Sequence, residues 1–166
     1  MAVKDSLLPE FDHEMGTTRR ILERVPEADM AWKPHAKSFS LGQLASHIAN
    51  IPTWAESTFD LTVFDLATLG EDTRPKQPAE LAPILAAFDA NVKKARAKVS
   101  EQLDAAFFTP WTLKQNGQEV FTMPKIVVWR SFIMNHLIHH RGQLSVYLRL
   151  RDVPLPSIYG PTADEG

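Results

Sequence analysis

Apolar side chains recur at steps of three and four in four separate stretches of the chain, and each stretch predicts a helix with one buried face. From Ser6 to Val25 the recurring positions are Leu7, Leu8, Phe11, Met15, Leu22 and Val25. Pro26 ends the pattern, because proline disfavours helical backbone in the residue before it. A loop carrying Trp32, Pro34 and His35 follows. Ser40 is placed to cap a second helix, its hydroxyl accepting from an amide that the first turn leaves free. That helix runs to about Phe59 on Leu41, Leu44, Ile48, Ile51 and Ala55, with Pro52 predicting a kink inside it. The third runs from about Pro83 to Leu103 on Leu85, Phe88, Val92, Ala95 and Val99, and Lys93, Lys94, Arg96 and Lys98 form its solvated side. For the fourth, Thr122 is the expected cap and Pro124 lies in the first turn. It continues to about Arg151.

The stretches between are of another kind. Leu69 to Pro83 is polar, holds three prolines and reads as connection. In residues 111–121, Trp111, Leu113, Val120 and Phe121 flank Gln115-Asn116-Gly117. Asn-Gly is the favoured two-residue turn of a β-hairpin. From about residue 153 the chain is rich in Pro and Gly and reads as an irregular tail. The expected fold is all-α, a four-helix bundle with a small hairpin before its last helix, in a single domain spanning 1–166.

Composition narrows the function classes. A chain of 166 residues, 44% of them hydrophobic, can bury one core. Its 18 basic and 20 acidic side chains leave a formal charge of -2. That is no basis for the counterion release that drives nucleic-acid binding. No apolar run reaches the roughly 18 residues of a membrane span, and the N-terminal residues lack the apolar core of a signal peptide. A cytoplasmic protein is expected. The chain has no cysteine, so disulfides, thiolate ligands and a cysteine nucleophile are excluded, and any metal must rest on His, Asp or Glu.

Six histidines stand at 13, 35, 47, 136, 139 and 140. In the fourth helix Trp129, Ile133, His136, His140, Leu144 and Tyr147 follow helical steps, which places His136 and His140 in the middle of the apolar stripe. At a spacing of i, i+4 two imidazoles lie on neighbouring turns, roughly 5–6 Å apart at Cβ, and can converge on one ion. They could equally hydrogen-bond to each other or to a carbonyl. Position 137 is Leu, so the glutamate base of a His-Glu-x-x-His site is missing. His139, at i+3 from His136, competes with His140 but lies at the flank. His47 falls on or beside the buried face of the second helix. It gains meaning only if the second and fourth helices are neighbours, when three neutral imidazoles would form a site with open positions. His13 and His35 read as exposed. Gln143 projects within about 20° of His136 and Trp129 shares the stripe; core packing explains either as well as a pocket does. Arg141 projects away from the stripe and reads as a surface or dimer contact.

Three stretches resemble the DinB-like (DinB/YfiT) superfamily of small metal-associated helical proteins. They are Trp32-Lys33-Pro34 with Ser38-Phe39-Ser40-Leu41-Gly42-Gln43-Leu44 and His47; Asn135 through Leu144, with its His-x-x-His-His-Arg-Gly-Gln; and Tyr147-Leu148-Arg149-Leu150 through Val153-Pro154 to Ile158-Tyr159-Gly160-Pro161. The resemblance implies an up-down-down-up four-helix bundle, often a homodimer. It implies a divalent metal, zinc or nickel, on His47, His136 and His140. His139, Gln143 and Trp129 are then candidates for the pocket wall or for support of the ligands. The superfamily shares no single activity. It includes S-transferases that use low-molecular-weight thiols, so a small-molecule substrate attacked by a metal-activated thiol or water is one expectation. A metal-binding, stress-response module without catalysis is the other.

Overall fold

The first apolar stripe folds as α1 (Val3–Leu22), whose Leu7, Phe11, Met15, Ile21 and Leu22 are buried. The computed structural model describes residues 2–70 and 75–165. Four residues of the expected 69–83 connection, 71–74, lie outside the described residues. The second stripe gives α2 (Leu41–Asn50), a 3₁₀ turn at Ile51–Thr53 and α3 (Trp54–Asp60). The break falls at Pro52, where a missing N–H and a crowded ring interrupt the helical ladder. Ser40 caps α2 as expected. Its Oγ accepts from the Gln43 amide at 3.1 Å, while the Gln43 side chain accepts from the Ser40 amide at 3.0 Å.

The third stripe becomes α4 (Ala82–Ser100), with Ile84, Phe88, Ala95 and Val99 inward. The charged side is exposed and tied to its neighbours: Arg96 to Asp12 of α1 and Lys98 to Asp60 of α3, each at 2.8 Å. A short α5 (Asp104–Phe107) leads to the strands.

The hairpin forms from β2 (Pro110–Gln115) and β3 (Gln118–Pro124). Asn116 and Gly117 take φ of +52° and +78°, the two positive values that a twist-matched two-residue turn requires. A third strand, β1 (Val63–Asp65), joins β2 in parallel. No periodicity announces it, since three residues are too few to show one. The Asp65 carboxylate holds the hairpin tip, accepting from the amides of Asn116 at 3.0 Å and Gly117 at 2.7 Å.

The last helix starts later than Thr122 predicts. Thr122 stands in β3, its hydroxyl 2.7 Å from that of Thr112 across the sheet, because the ladder carries the strand to Pro124. The helix then runs as α6 (Lys125–Val128), a π-helical stretch at Trp129–Asn135, and α7 (His136–Leu150).

The protein is thus mostly helical with a small three-stranded sheet. α1 packs on α4 and α7, and α2 packs on the same two helices. One cluster of buried apolar side chains draws on all of them. Among the described residues, no helix is long and apolar enough to cross a membrane. Among its described residues the expected tail forms no helix or strand, yet it is pinned: Asp164 pairs with Arg149, and Glu165 pairs with Arg24, just beyond α1, at 2.6 Å.

Candidate metal centre

α2 packs on α7, and this contact brings together residues 89 positions apart. His47 Nε2 lies 3.3 Å from His136 Nε2, and His140 Nε2 lies 2.8 Å from the same atom. One ligand atom from each of the three lies within 4.8 Å of the other two. Their far nitrogens turn outward. His136 Nδ1 is 3.3 Å from the Phe132 carbonyl oxygen, and His140 Nδ1 is 2.7 Å from Gln143 Oε1. A ring that donates through Nδ1 has a bare lone pair at Nε2. Those two bonds therefore aim the Nε2 lone pairs of His136 and His140 inward, toward His47.

This donor set fits a divalent cation. Imidazole nitrogens around a tetrahedral zinc, with bonds of about 2.0–2.1 Å, stand about 3.3 Å apart, the separation of His47 from His136, while His136 and His140 stand closer, at 2.8 Å. The charge states fit as well. Burial, reinforced by the neighbouring histidines, pushes His47 down to about 4. Burial also lowers His136 and His140. All three rings are thus neutral, metal-ready bases near pH 7. Aromatic rings bound the cluster: Phe39 stands 5.8 Å from His47 and Trp54 stands 5.2 Å from His136, centroid to centroid.

The other candidates separate. Gln143 is exposed and holds the His140 ring. His139 is exposed beside His140 and borders a surface depression with Trp54, Ser131, Phe132, Asn135 and His136. Trp129 is fully buried between Phe11 and Phe59, so it belongs to the core and not to the histidine site. The π-helical stretch explains the displacement, since its wider turns break the 100° projection that aligned Trp129 with His136. His13 and His35 are exposed, as their positions predict.

Arg141 overturns its expectation. Its side chain is buried and pairs with Glu14 of α1 at 2.6 Å. It also donates to the Glu14 carbonyl oxygen and to Thr18 Oγ1. Tyr159 completes the group, donating to the Glu14 carboxylate at 2.9 Å. The inward face of α7 is therefore Leu137, Arg141, Leu144 and Leu148. His136 and His140 lie on its flank, half-buried, and not in its middle as expected. An apolar pattern cannot find this face, because its central residue is charged and its partner comes from another helix.

Comparison with known proteins bears on the family and the fold. The family model described as DinB family matches residues 1–166. The uncharacterized protein YrdA of Bacillus subtilis (strain 168) is 25% identical over 167 residues, covering 97% of this chain and 90% of its own length. Two solved structures share the fold. A DinB-like protein from Bacillus cereus ATCC 10987 superposes with a TM-score of 0.71 at 22% identity, over 93% of this chain and 97% of its own. The DinB-like protein YjoA from Bacillus subtilis does so with a TM-score of 0.69 at 16% identity, over 95% of this chain and 99% of its own.

Proposed function

The chain belongs to the DinB family, and from that premise we propose that it binds one divalent metal ion, zinc or nickel, through His47, His136 and His140. The observation that carries the reading is the convergence of three neutral imidazoles, two of them held by outward hydrogen bonds with their lone pairs facing the third. The four long helical units are read as an up-down-down-up bundle. In support, α1 and α2 each pack on both α4 and α7.

We further propose that the protein is an enzyme acting on a small electrophile, of the thiol S-transferase or hydrolase type. A divalent ion on three neutral ligands would supply Lewis acidity, holding a thiol or water cosubstrate in its anionic form near pH 7. The chain offers no thiol of its own, so a thiol nucleophile must arrive as a low-molecular-weight cosubstrate. The protein's part is to fix the rings. Gln143 orients His140, the Phe132 carbonyl orients His136, and the aromatic neighbours Phe39 and Trp54 limit water around them. A homodimer is the proposed assembly.

A non-catalytic metal-binding module is the second reading. It is favoured by one observation: among the described residues, the cluster contains three histidines and no carboxylate to act as base.

The test is metal analysis of protein purified without a metal-affinity column, with zinc and nickel titrations by calorimetry. One ion per chain is expected. Replacing His47, His136 or His140 by Gln should abolish tight binding, while His13→Gln and His35→Gln should not. Binding that survives all three ligand replacements would defeat the assignment. Turnover of activated esters or alkyl halides, with and without common bacterial thiols, separates the two readings.

A further inference from the structure

A cavity of about 490 Å³ lies between the sheet and the helices beside the histidine cluster. One face of the sheet makes its floor. Trp111 and Leu113 are two residues apart on β2 and point the same way. Leu113 has Phe64 of β1 and Phe121 of β3 as its register partners. Trp54 of α3 and Phe132 of the π-helical stretch close the opposite side. Those two rings also border the depression that contains His136, so the cavity and that depression adjoin at Trp54 and Phe132.

The polar groups of this wall are already used. Thr53 Oγ1 donates to Asn50 O at 2.7 Å, Ser57 Oγ to Trp54 O at 3.1 Å and Thr58 Oγ1 to Trp54 O at 2.7 Å. The Trp111 indole donates to Ser57 O at 3.0 Å. Among the described lining residues Glu56 is the one ionisable side chain, and it is acidic. A guest that accepts hydrogen bonds finds the hydroxyl donors of this wall already engaged, and an anionic guest meets a carboxylate. The size lies within the range of roughly 300–1,000 Å³ that holds small organic ligands.

We propose that this cavity binds a flat, uncharged, apolar small molecule. Resting on the metal reading above, it also gives the substrate class: an electrophile whose body is aromatic or hydrocarbon and whose reactive end lies on the His136 side. The occupant is a small molecule and not a second protein copy, because the floor is a concave set of rings behind Trp54 and not a flat apolar face.

The test uses the full chain, treated with chelator so that no metal is needed. N-phenyl-1-naphthylamine, neutral and emissive in apolar surroundings, is titrated in. One site per chain is expected, with Kd on the order of 10 μM, in keeping with the efficiency of small apolar ligands. Leu113 of β2 and Leu66, which opens the 3₁₀ turn Leu66–Leu69 after β1, both line the cavity; Leu113→Trp and Leu66→Trp each fill it from a different element, and each should weaken the probe at least about tenfold. Circular dichroism and zinc titration of both variants should match the parent. No saturable binding, or equal affinity in whichever filled variant folds, would overturn the proposal. Probe release as the chain self-associates at higher concentration would also overturn it, in favour of a second copy as the occupant. Probe binding without zinc binding would defeat the metal reading alone and leave the apolar site supported.

Discussion

Gln143 touches the histidine cluster through a single ring. On a helical projection it faces the ligand position. In the folded chain it accepts from His140 Nδ1 at 2.7 Å and fixes which nitrogen of that ring faces the other two histidines. Partners of this kind commonly matter by about 10–100-fold in metal affinity. Gln143→Leu should therefore weaken zinc by that factor, with little change in thermal stability of the metal-free protein. Gln143→Glu, which still accepts, should retain affinity or raise it. Equal zinc affinity in parent and Leu variant, measured against a chelator of known affinity, would remove Gln143 from the site. That His139 is more exposed than His140 was legible in the sequence, although His140 lies on the flank of the buried face and not at its centre. Arg141 was not. Its burial depends on Glu14, which lies 127 positions away and carries no local sign of the pairing.

That ion pair shows what the elements contribute. α1 and α7 meet through a guanidinium and a carboxylate whose side chains are 2% and 8% exposed, with Tyr159 of the tail closing over them. Removing one partner strands the other without water. Arg141→Ala should cost about 3–5 kcal/mol, read as a shift in the urea midpoint. Replacing both, as Arg141→Met with Glu14→Leu, should recover most of that loss. A double variant as weak as the single one would show that packing, and not the unpaired charge, sets the cost. The remaining elements divide by length. Long periodic segments marked α1, α4 and the joint span of α2 and α3 to within a few residues, because their faces repeat over several turns. Asn116-Gly117 marked the hairpin because its backbone angles admit few residues. β1 stayed hidden, being three residues long and held by Asp65 and by its pairing with β2. The π-helical stretch stayed hidden too, since one extra residue per turn leaves no mark in composition.

At the scale of the molecule, the three histidines tie α2 to the last helix, and their protonation must be felt in global stability. In the unfolded chain a histidine titrates near pH 6.5. In the folded, metal-free protein His47 is held down to about 4 by burial and by its histidine neighbours. Between those values the unfolded state binds the extra proton, so stability falls as pH falls through this window and is insensitive to His47 above it. Urea unfolding with chelator present, run from about pH 7.5 to pH 4.5, should show this decline. His47→Gln should flatten it, which separates the histidine from carboxylates that titrate in the same range. Zinc should act in the opposite sense. An ion bound only by the folded chain stabilises by about 2.7 kcal/mol at a hundredfold excess over Kd, or roughly 5–10 °C in Tm for a domain of this size. The gain should shrink as pH falls, because protons compete for the same lone pairs. Hydrogen exchange should slow in α2 and α7 together. Protection confined to α7 would mean that the His136–His140 pair binds alone, and that packing α2 against it serves the core and not the ion.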